Sequence, residues 1–125
     1  VSHFTDDEFL CRCGRPECDA PTKPSRLLRL YLDRMREMYD APIVVNSGNR
    51  CAFWNEHEGG VAGSEHERAE GCEGADVRCL GSRERWKMLD AARQAGFTRV
   101  GIGKTFLHVG VGTRESDALN VIWLY

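Results

Sequence analysis

A chain of 125 residues and 14.1 kDa, 42% hydrophobic, is long enough to build one core and too short for two independent domains. Seventeen Lys and Arg against nineteen Asp and Glu leave a formal charge of −2, and the basic residues are scattered, which excludes the footprint of a nucleic-acid binder. No run approaches the about 18 consecutive apolar residues of a membrane helix, and residues 1–10 lack the pattern of a signal peptide, so a soluble chain is expected.

Residues 4–18 mix acids with Cys11, Cys13 and Cys18 and follow neither helical nor strand period, so the stretch 1–23 reads as an irregular, Cys-containing lead-in. Pro24 and Ser25 then open a segment in which Leu27, Leu28, Tyr31, Leu32, Met35 and Met38 recur at steps of three and four. That spacing predicts an amphipathic helix over 25–39, broken by Asp40, Ala41 and Pro42. The β-branched run Ile43, Val44, Val45 predicts a short buried strand running into a loop at Asn46, Ser47 and Gly48.

From Ser47 to Gly74 the chain is rich in glycine and acids, contains His57 and His66, and is expected to be one long loop. Loops of that length inside a compact domain are more often functional than idle. A strand follows over 75–79, and Ser82 is expected to cap a helix carrying Trp86, Leu89, Ala92 and Ala95, closed by Gly96. Three short strands, over 98–102, 106–111 and 120–125, complete the chain.

Strand alternation selects the residues that carry chemistry. If Leu107 and Val109 face the core, His108 and Gly110 face the other way; by the same rule Ala75 and Val77 turn inward and Asp76 outward. His66 lies upstream in the loop. Two imidazoles and a carboxylate are a ligand set for zinc with one position left open. Such an ion lowers the pKa of bound water to roughly 7 and polarises a carbonyl, as amide hydrolysis requires. On composition alone, a surface histidine and a strand-end aspartate account for the same residues.

The order of several separated motifs adds to this: Ile43 to Val45 leading into Asn46, Ser47, Gly48, Asn49 and Arg50; Asn55; Gly59, Gly60 and Val61; Ser64, Glu65 and His66; Gly74, Ala75, Asp76 and Val77; Gly101, Ile102 and Gly103; Phe106, Leu107, His108 and Val109. Together they resemble the zinc D-alanyl-D-alanine carboxypeptidase family, whose fold is shared with vancomycin-resistance dipeptidases, phage endolysin peptidases and the hedgehog signalling domain.

The resemblance implies a small single α+β domain over 1–125, an antiparallel sheet with helices packed on one side. It implies His66, Asp76 and His108 as zinc ligands and Arg50 as the residue that grips a substrate carboxylate, a task suited to a planar guanidinium. Ser64 either helps to hold the same peptide or is a turn hydroxyl bonded to nearby backbone. The implied activity is zinc-dependent cleavage of bacterial peptidoglycan stem peptides, of carboxypeptidase or endopeptidase type, as in a phage or prophage lysis or tail-associated enzyme. The alternative is a catalytically silent zinc-binding module of the same fold that recognises a peptide or a protein partner.

Three positions depart from the family pattern. His66 to Asp76 spans ten steps against the usual seven, which predicts an insertion of three residues within 67–71. Asn49 stands where an aromatic is usual. Gly110 replaces the acid of the usual His-Val-Asp, and Thr105 occupies the other customary acid position, so the general base is unassigned and Glu65, Glu67, Glu70 and Glu73 are the nearby acids that could reach in.

Six cysteines remain. Cys51, Cys72 and Cys79 lie close in sequence to the proposed site, where a disulfide could brace the loop. Cys11, Cys13 and Cys18 could join Cys51 or another thiol around a structural zinc, although they lack the paired Cys-x2-Cys spacing; buried free thiols are the plainer account. His57 falls outside the ligand positions and is expected to be a loop histidine, and His3 carries no signal.

Overall fold

The computed structural model describes residues 1–125. A single 3-10 turn, Asp6–Phe9, precedes helix α1 (Arg26–Tyr39). Strand β1 (Val45–Ser47), helix α2 (Ala52–His57), strand β2 (Gly74–Arg78) and helix α3 (Ser82–Ala95) follow, and strands β3 (Arg99–Ile102), β4 (Phe106–Gly110) and β5 (Val121–Leu124) close the chain. The architecture is α+β, as expected.

The two long helices begin and end where the sequence punctuates them. The Ser25 hydroxyl accepts the Leu28 backbone N–H at 3.1 Å, which satisfies one of the orphan donors of the first turn of α1, and Asp40 closes the helix in the left-handed conformation (φ 55°). Helix α3 closes at Gly96 (φ 116°), where Tyr31 packs 3.1 Å from the position a Cβ would take, so both conformation and space call for glycine. At its start, Gly81 rather than Ser82 is the capping residue, and Ser82 is the first helical residue. Trp86, expected among the apolar positions of α3, is exposed; the buried face carries Met88, Ala91, Ala92 and Ala95.

The five strands form one sheet in the order β1-β2-β4-β3-β5. The pairs β1–β2, β2–β4 and β3–β4 are antiparallel; β3–β5 is parallel, which departs from the antiparallel sheet expected. The long connection from β4 to β5 lets the last strand run alongside β3 in the same direction.

Helices α1 and α3 pack on each other, and their apolar residues join Val45, Ala75, Val77, Leu107 and Val109 of the sheet in one core. Leu28, Leu32 and Met35 are fully buried there, each contributing about 1.5–3 kcal/mol by leaving water. The lead-in belongs to this core through Phe4 and the fully buried Phe9, whose carbonyl accepts both the backbone N–H and the side-chain amide of Asn49 at 3.0 Å. It therefore docks on the domain, although residues 10–25 form no helix or strand.

Two segments of the sequence reading shift. The first strand forms over Val45–Ser47 rather than 43–45; Ile43 is still buried but precedes the strand. The expected loop over 47–74 contains α2, a helix of six residues in which only Asn55 is buried, too short to display an apolar period.

Candidate metal centre

One row of residues crosses the sheet on the face turned away from α1 and α3. Ser47 of β1 lies beside Asp76 of β2, Asp76 beside His108 of β4, His108 beside Gly101 of β3, and Gly101 beside Trp123 of β5. A bulge in β1 sets the first member: Val45 pairs with Val77 but Ser47 already pairs with Asp76, two steps against one. In an unbulged pairing of the same residues Ser47 would fall opposite Ala75 on the core side. Gly101 sets the last, because a Cβ there would meet the Trp123 indole at 2.6 Å; its absence lets the indole lie 5.5 Å, centroid to centroid, from the His108 ring.

His66 reaches the row from the loop. Its carbonyl accepts the Arg50 N–H at 2.8 Å, and the Glu73 N–H donates to the neighbouring Glu65 carbonyl at 2.8 Å, which ties the loop to both sides of the site. Residues 67–71, expected to hold an insertion, form bends and turns in which Ala69 and Glu70 are exposed while Arg68 is buried against Glu73 (2.6 Å) and Asp117 (3.0 Å). The longer spacing between His66 and Asp76 is absorbed there without displacing either side chain from the row.

The three expected ligand residues converge. One ring nitrogen of each histidine and one carboxylate oxygen of Asp76 lie within 4.8 Å of one another, and all three residues are buried. His66 Nδ1 donates to the Gly48 carbonyl at 2.7 Å, which leaves the lone pair of Nε2 facing Asp76 Oδ1 at 3.3 Å. His108 Nε2 donates to Glu65 Oε1 at 3.0 Å, which leaves Nδ1 facing the same Asp76 oxygen at 3.0 Å. Without an ion the rings can share a further proton with Asp76, whereas with both rings neutral the three atoms turn lone pairs toward one another, a set that can hold a cation. The two separations from Asp76, 3.3 and 3.0 Å, lie near the edge of about 3.3 Å of a tetrahedron with bonds of about 2.0 Å, so the donor set is compatible with a metal ion such as zinc.

The titration of these groups follows from the same contacts. Burial holds His66 below the usual histidine range despite its bond to Asp76. Burial also opposes charge on His108, yet the hydrogen bonds to Asp76 and Glu65 raise it. Burial would raise Asp76, but the bonds from His108 and His66 hold its carboxyl well below the usual range.

Around the ligands stands a set of orienting contacts. Arg50 donates from Nε to the Ser47 hydroxyl (2.9 Å), from one terminal nitrogen to Asn55 Oδ1 (3.3 Å) and from the other to Asp76 Oδ2 (2.8 Å). These three bonds use three of its five N–H groups. Ser64 donates to the same Asn55 oxygen at 3.2 Å, so its hydroxyl is bonded to a side chain of α2 rather than to nearby backbone. Asn55 is pressed against Gly60, where a Cβ would overlap its amide.

Among the acids near the first ligand, Glu65 reaches in. Its carboxylate fills the space beside Gly110, where a Cβ would overlap it, and accepts from His108 Nε2, Arg99 Nε (3.0 Å) and the Gly112 N–H (3.1 Å). Burial opposes its charge, but the bonds from His108 and Arg99 lower its pKa on balance. Glu73 pairs with Arg68 instead, and His57 stacks on Trp54 at 4.6 Å, outside the site.

The ligands floor a cleft of about 530 Å³ walled by Arg50, Ser64, Arg99, Phe106, Trp123 and Tyr125. Arg99, Trp123 and Tyr125 belong to none of the motifs in the sequence. The alternation of Val121, Trp123 and Tyr125 was the available signal, but only the pairing of β5 with β3 turns those side chains toward His108. All six cysteines are free thiols, and none of Cys51, Cys72 and Cys79 bridges another. Cys72 and Cys79 lie in the core, where burial pushes the Cys72 thiol up to about 12. No helix is long and apolar enough to cross a membrane.

A family model described as Peptidase M15 matches residues 2–111. No curated protein matches the chain.

Proposed function

The chain belongs to the peptidase M15 family, and on that premise we propose that it is a zinc-dependent peptidase acting on bacterial peptidoglycan stem peptides, by carboxypeptidase or endopeptidase cleavage. The observation that carries the reading is the convergence of His66, Asp76 and His108 on one point at the floor of an open cleft. His66 Nε2, Asp76 Oδ1 and His108 Nδ1 are the atoms that would hold the ion. Zinc, when bound, supplies Lewis acidity that polarises a peptide carbonyl and acidifies water.

The protein's own groups divide the remaining work. Glu65 is a positioning residue: it fixes the His108 ring so that Nδ1 faces the ligand point. Arg50 holds Asp76 through Oδ2 and keeps two N–H groups for an anion, which suits the carboxylate of a short peptide. Trp123, Phe106 and Tyr125 form an aromatic wall that screens the reacting carbonyl from bulk water.

The reading of a silent zinc-binding module draws on a different observation. Every acid lining the inner cleft is already engaged: Asp76 by two histidines and Arg50, Glu65 by three donors, Asp117 by Arg68. Glu58, exposed at the rim after α2, is the lining carboxylate that no side chain of the cleft engages. Muropeptides incubated with the zinc-loaded protein separate the two readings. The peptidase releases D-alanine or splits a cross-link and His108→Ala does not; binding without turnover in the intact protein makes it a recognition module.

A further inference from the structure

A second cluster of metal-binding side chains stands apart from the cleft. We propose that Cys11, Cys13, Cys18 and Cys51 hold a structural zinc ion as a closed tetrathiolate. Their four sulfurs lie within 4.8 Å of one another, although Cys51 is far from the other three in sequence. The Cys11 and Cys51 sulfurs are 3.8 Å apart. That matches the edge of about 3.8 Å of a tetrahedron with Zn–S bonds of about 2.3 Å, and it is nearly twice the bond of about 2.05 Å in a disulfide.

The backbone around the cluster is shaped for thiolates. The Arg15 N–H donates to the Cys13 sulfur at 3.4 Å and the Cys51 N–H to the Cys11 sulfur at 3.4 Å. Both bonds favour the charged form of sulfur, the form that binds a metal. The first is made two residues downstream of its cysteine, across a tight turn at Gly14, whose φ of 68° is one that side-chain-bearing residues rarely adopt. A Cβ at Gly14 would meet open space, so the glycine there answers to backbone conformation and not to crowding. Four thiolates with no open position select a closed, structural site rather than a catalytic one.

The cluster also answers a mechanical need. Residues 10–25 form no helix or strand, and Cys18 N–H to Arg15 carbonyl is the turn bond within the cysteine segment. A metal there would staple this irregular segment to Cys51, which caps α2 and directly follows Arg50. A short stretch with little apolar surface is where a small domain gains most from a metal cross-link.

Elemental analysis of the full chain loaded with zinc tests the proposal. Two zinc ions per chain are expected, falling to one in a His66→Ala, His108→Ala variant and to one in a Cys13→Ser, Cys18→Ser variant. Cobalt loaded into the histidine variant is expected to give sulfur-to-metal charge transfer and the intense visible bands of tetrahedral thiolate coordination. Because the cysteine variant can fail to fold, alkylation of the unaltered protein is mapped by peptide mass before and after chelation. Cys11, Cys13, Cys18 and Cys51 should become reactive only after chelation, while Cys72 and Cys79 stay protected. A histidine variant that retains no zinc, a cobalt spectrum without sulfur bands, or equal labelling of Cys11, Cys13 and Cys18 before and after chelation overturns the proposal. None of these outcomes bears on the peptidase reading, which concerns the other ion.

Discussion

The carboxylate of Glu65 occupies the space that a side chain on Gly110 would fill, and from there it accepts the Nε2 proton of His108. The acid in this place thus comes from the residue beside His66, in an exchange of space with the strand residue two steps after His108. Gly74, paired with Gly110 across the strands, completes the vacancy: a Cβ there would stand 2.7 Å from the His108 ring and 2.8 Å from Glu65. Two facing glycines on adjacent strands thus admit one buried carboxylate.

This exchange predicts an epistatic pair. Gly110→Ala forces its methyl group into the Glu65 carboxylate and should cost about 1–3 kcal/mol of stability, the usual range for overpacking a filled site. In a Glu65→Ala background the same change should cost far less, because its obstacle is gone. Urea unfolding of the two single variants and the double variant measures the coupling; additivity within about 0.5 kcal/mol would mean that the two positions do not share the space. The same crowding means that restoring an acid through Gly110→Asp alone places two carboxylates in one buried volume.

Replacing Glu65 should also act on the metal. Loss of the acceptor for His108 Nε2 frees the ring to rotate, and second-layer contacts of this kind are worth about 10–100-fold in metal affinity. Glu65→Ala should weaken zinc by that factor, while Glu65→Gln, which keeps an acceptor oxygen, should lose less. Competition with a chelator reads the affinities, and equal values for all three proteins would remove the positioning role.

Arg50 carries a test of its own, since it is bound to Asp76 at 2.8 Å as well as lining the cleft. Arg50→Ala leaves the second oxygen of a buried carboxylate without its partner, a change of about 3–5 kcal/mol in comparable buried pairs. Both zinc affinity and stability should therefore fall, together with the capture of a peptide carboxylate. A variant that raises KM for a peptide while leaving zinc affinity intact would show that the arginine serves the substrate alone.

Alkaline pH should unsettle the core through Cys72, whose thiol is pushed by burial from 9.0 up to about 12. Below pH 9 both folded and unfolded chains keep the proton, and the buried thiol carries no penalty. Above it the unfolded chain releases the proton and the folded one does not, so stability falls through the window from about 9 to 12, by at most about 1.4 kcal/mol per pH unit from this group. Chemical unfolding across that range should show a shallower decline in Cys72→Ala; an unchanged slope would place the effect elsewhere.

Local rules determined much of this protein from its sequence. Steps of three and four wrote α1, a hydroxyl and a left-handed stop bounded it, and alternation in β2 and β4 assigned Asp76 and His108 to the face away from the core, because side chains on a strand must alternate. His66, Asp76 and His108 were singled out as candidate ligands by the order of motifs rather than by alternation alone, since His66 lies in a loop.

What only the tertiary structure decided depends on contacts between distant segments. The bulge that turns Ser47 toward Asp76, the parallel pairing that brings Trp123 over Gly101, the choice of Glu65 among four nearby acids and the meeting of Cys51 with Cys11, Cys13 and Cys18 leave no period in the chain. Each is set by a vacancy or a partner supplied from another strand or loop, and packing selects among locally equivalent residues only after the sheet has brought those partners together.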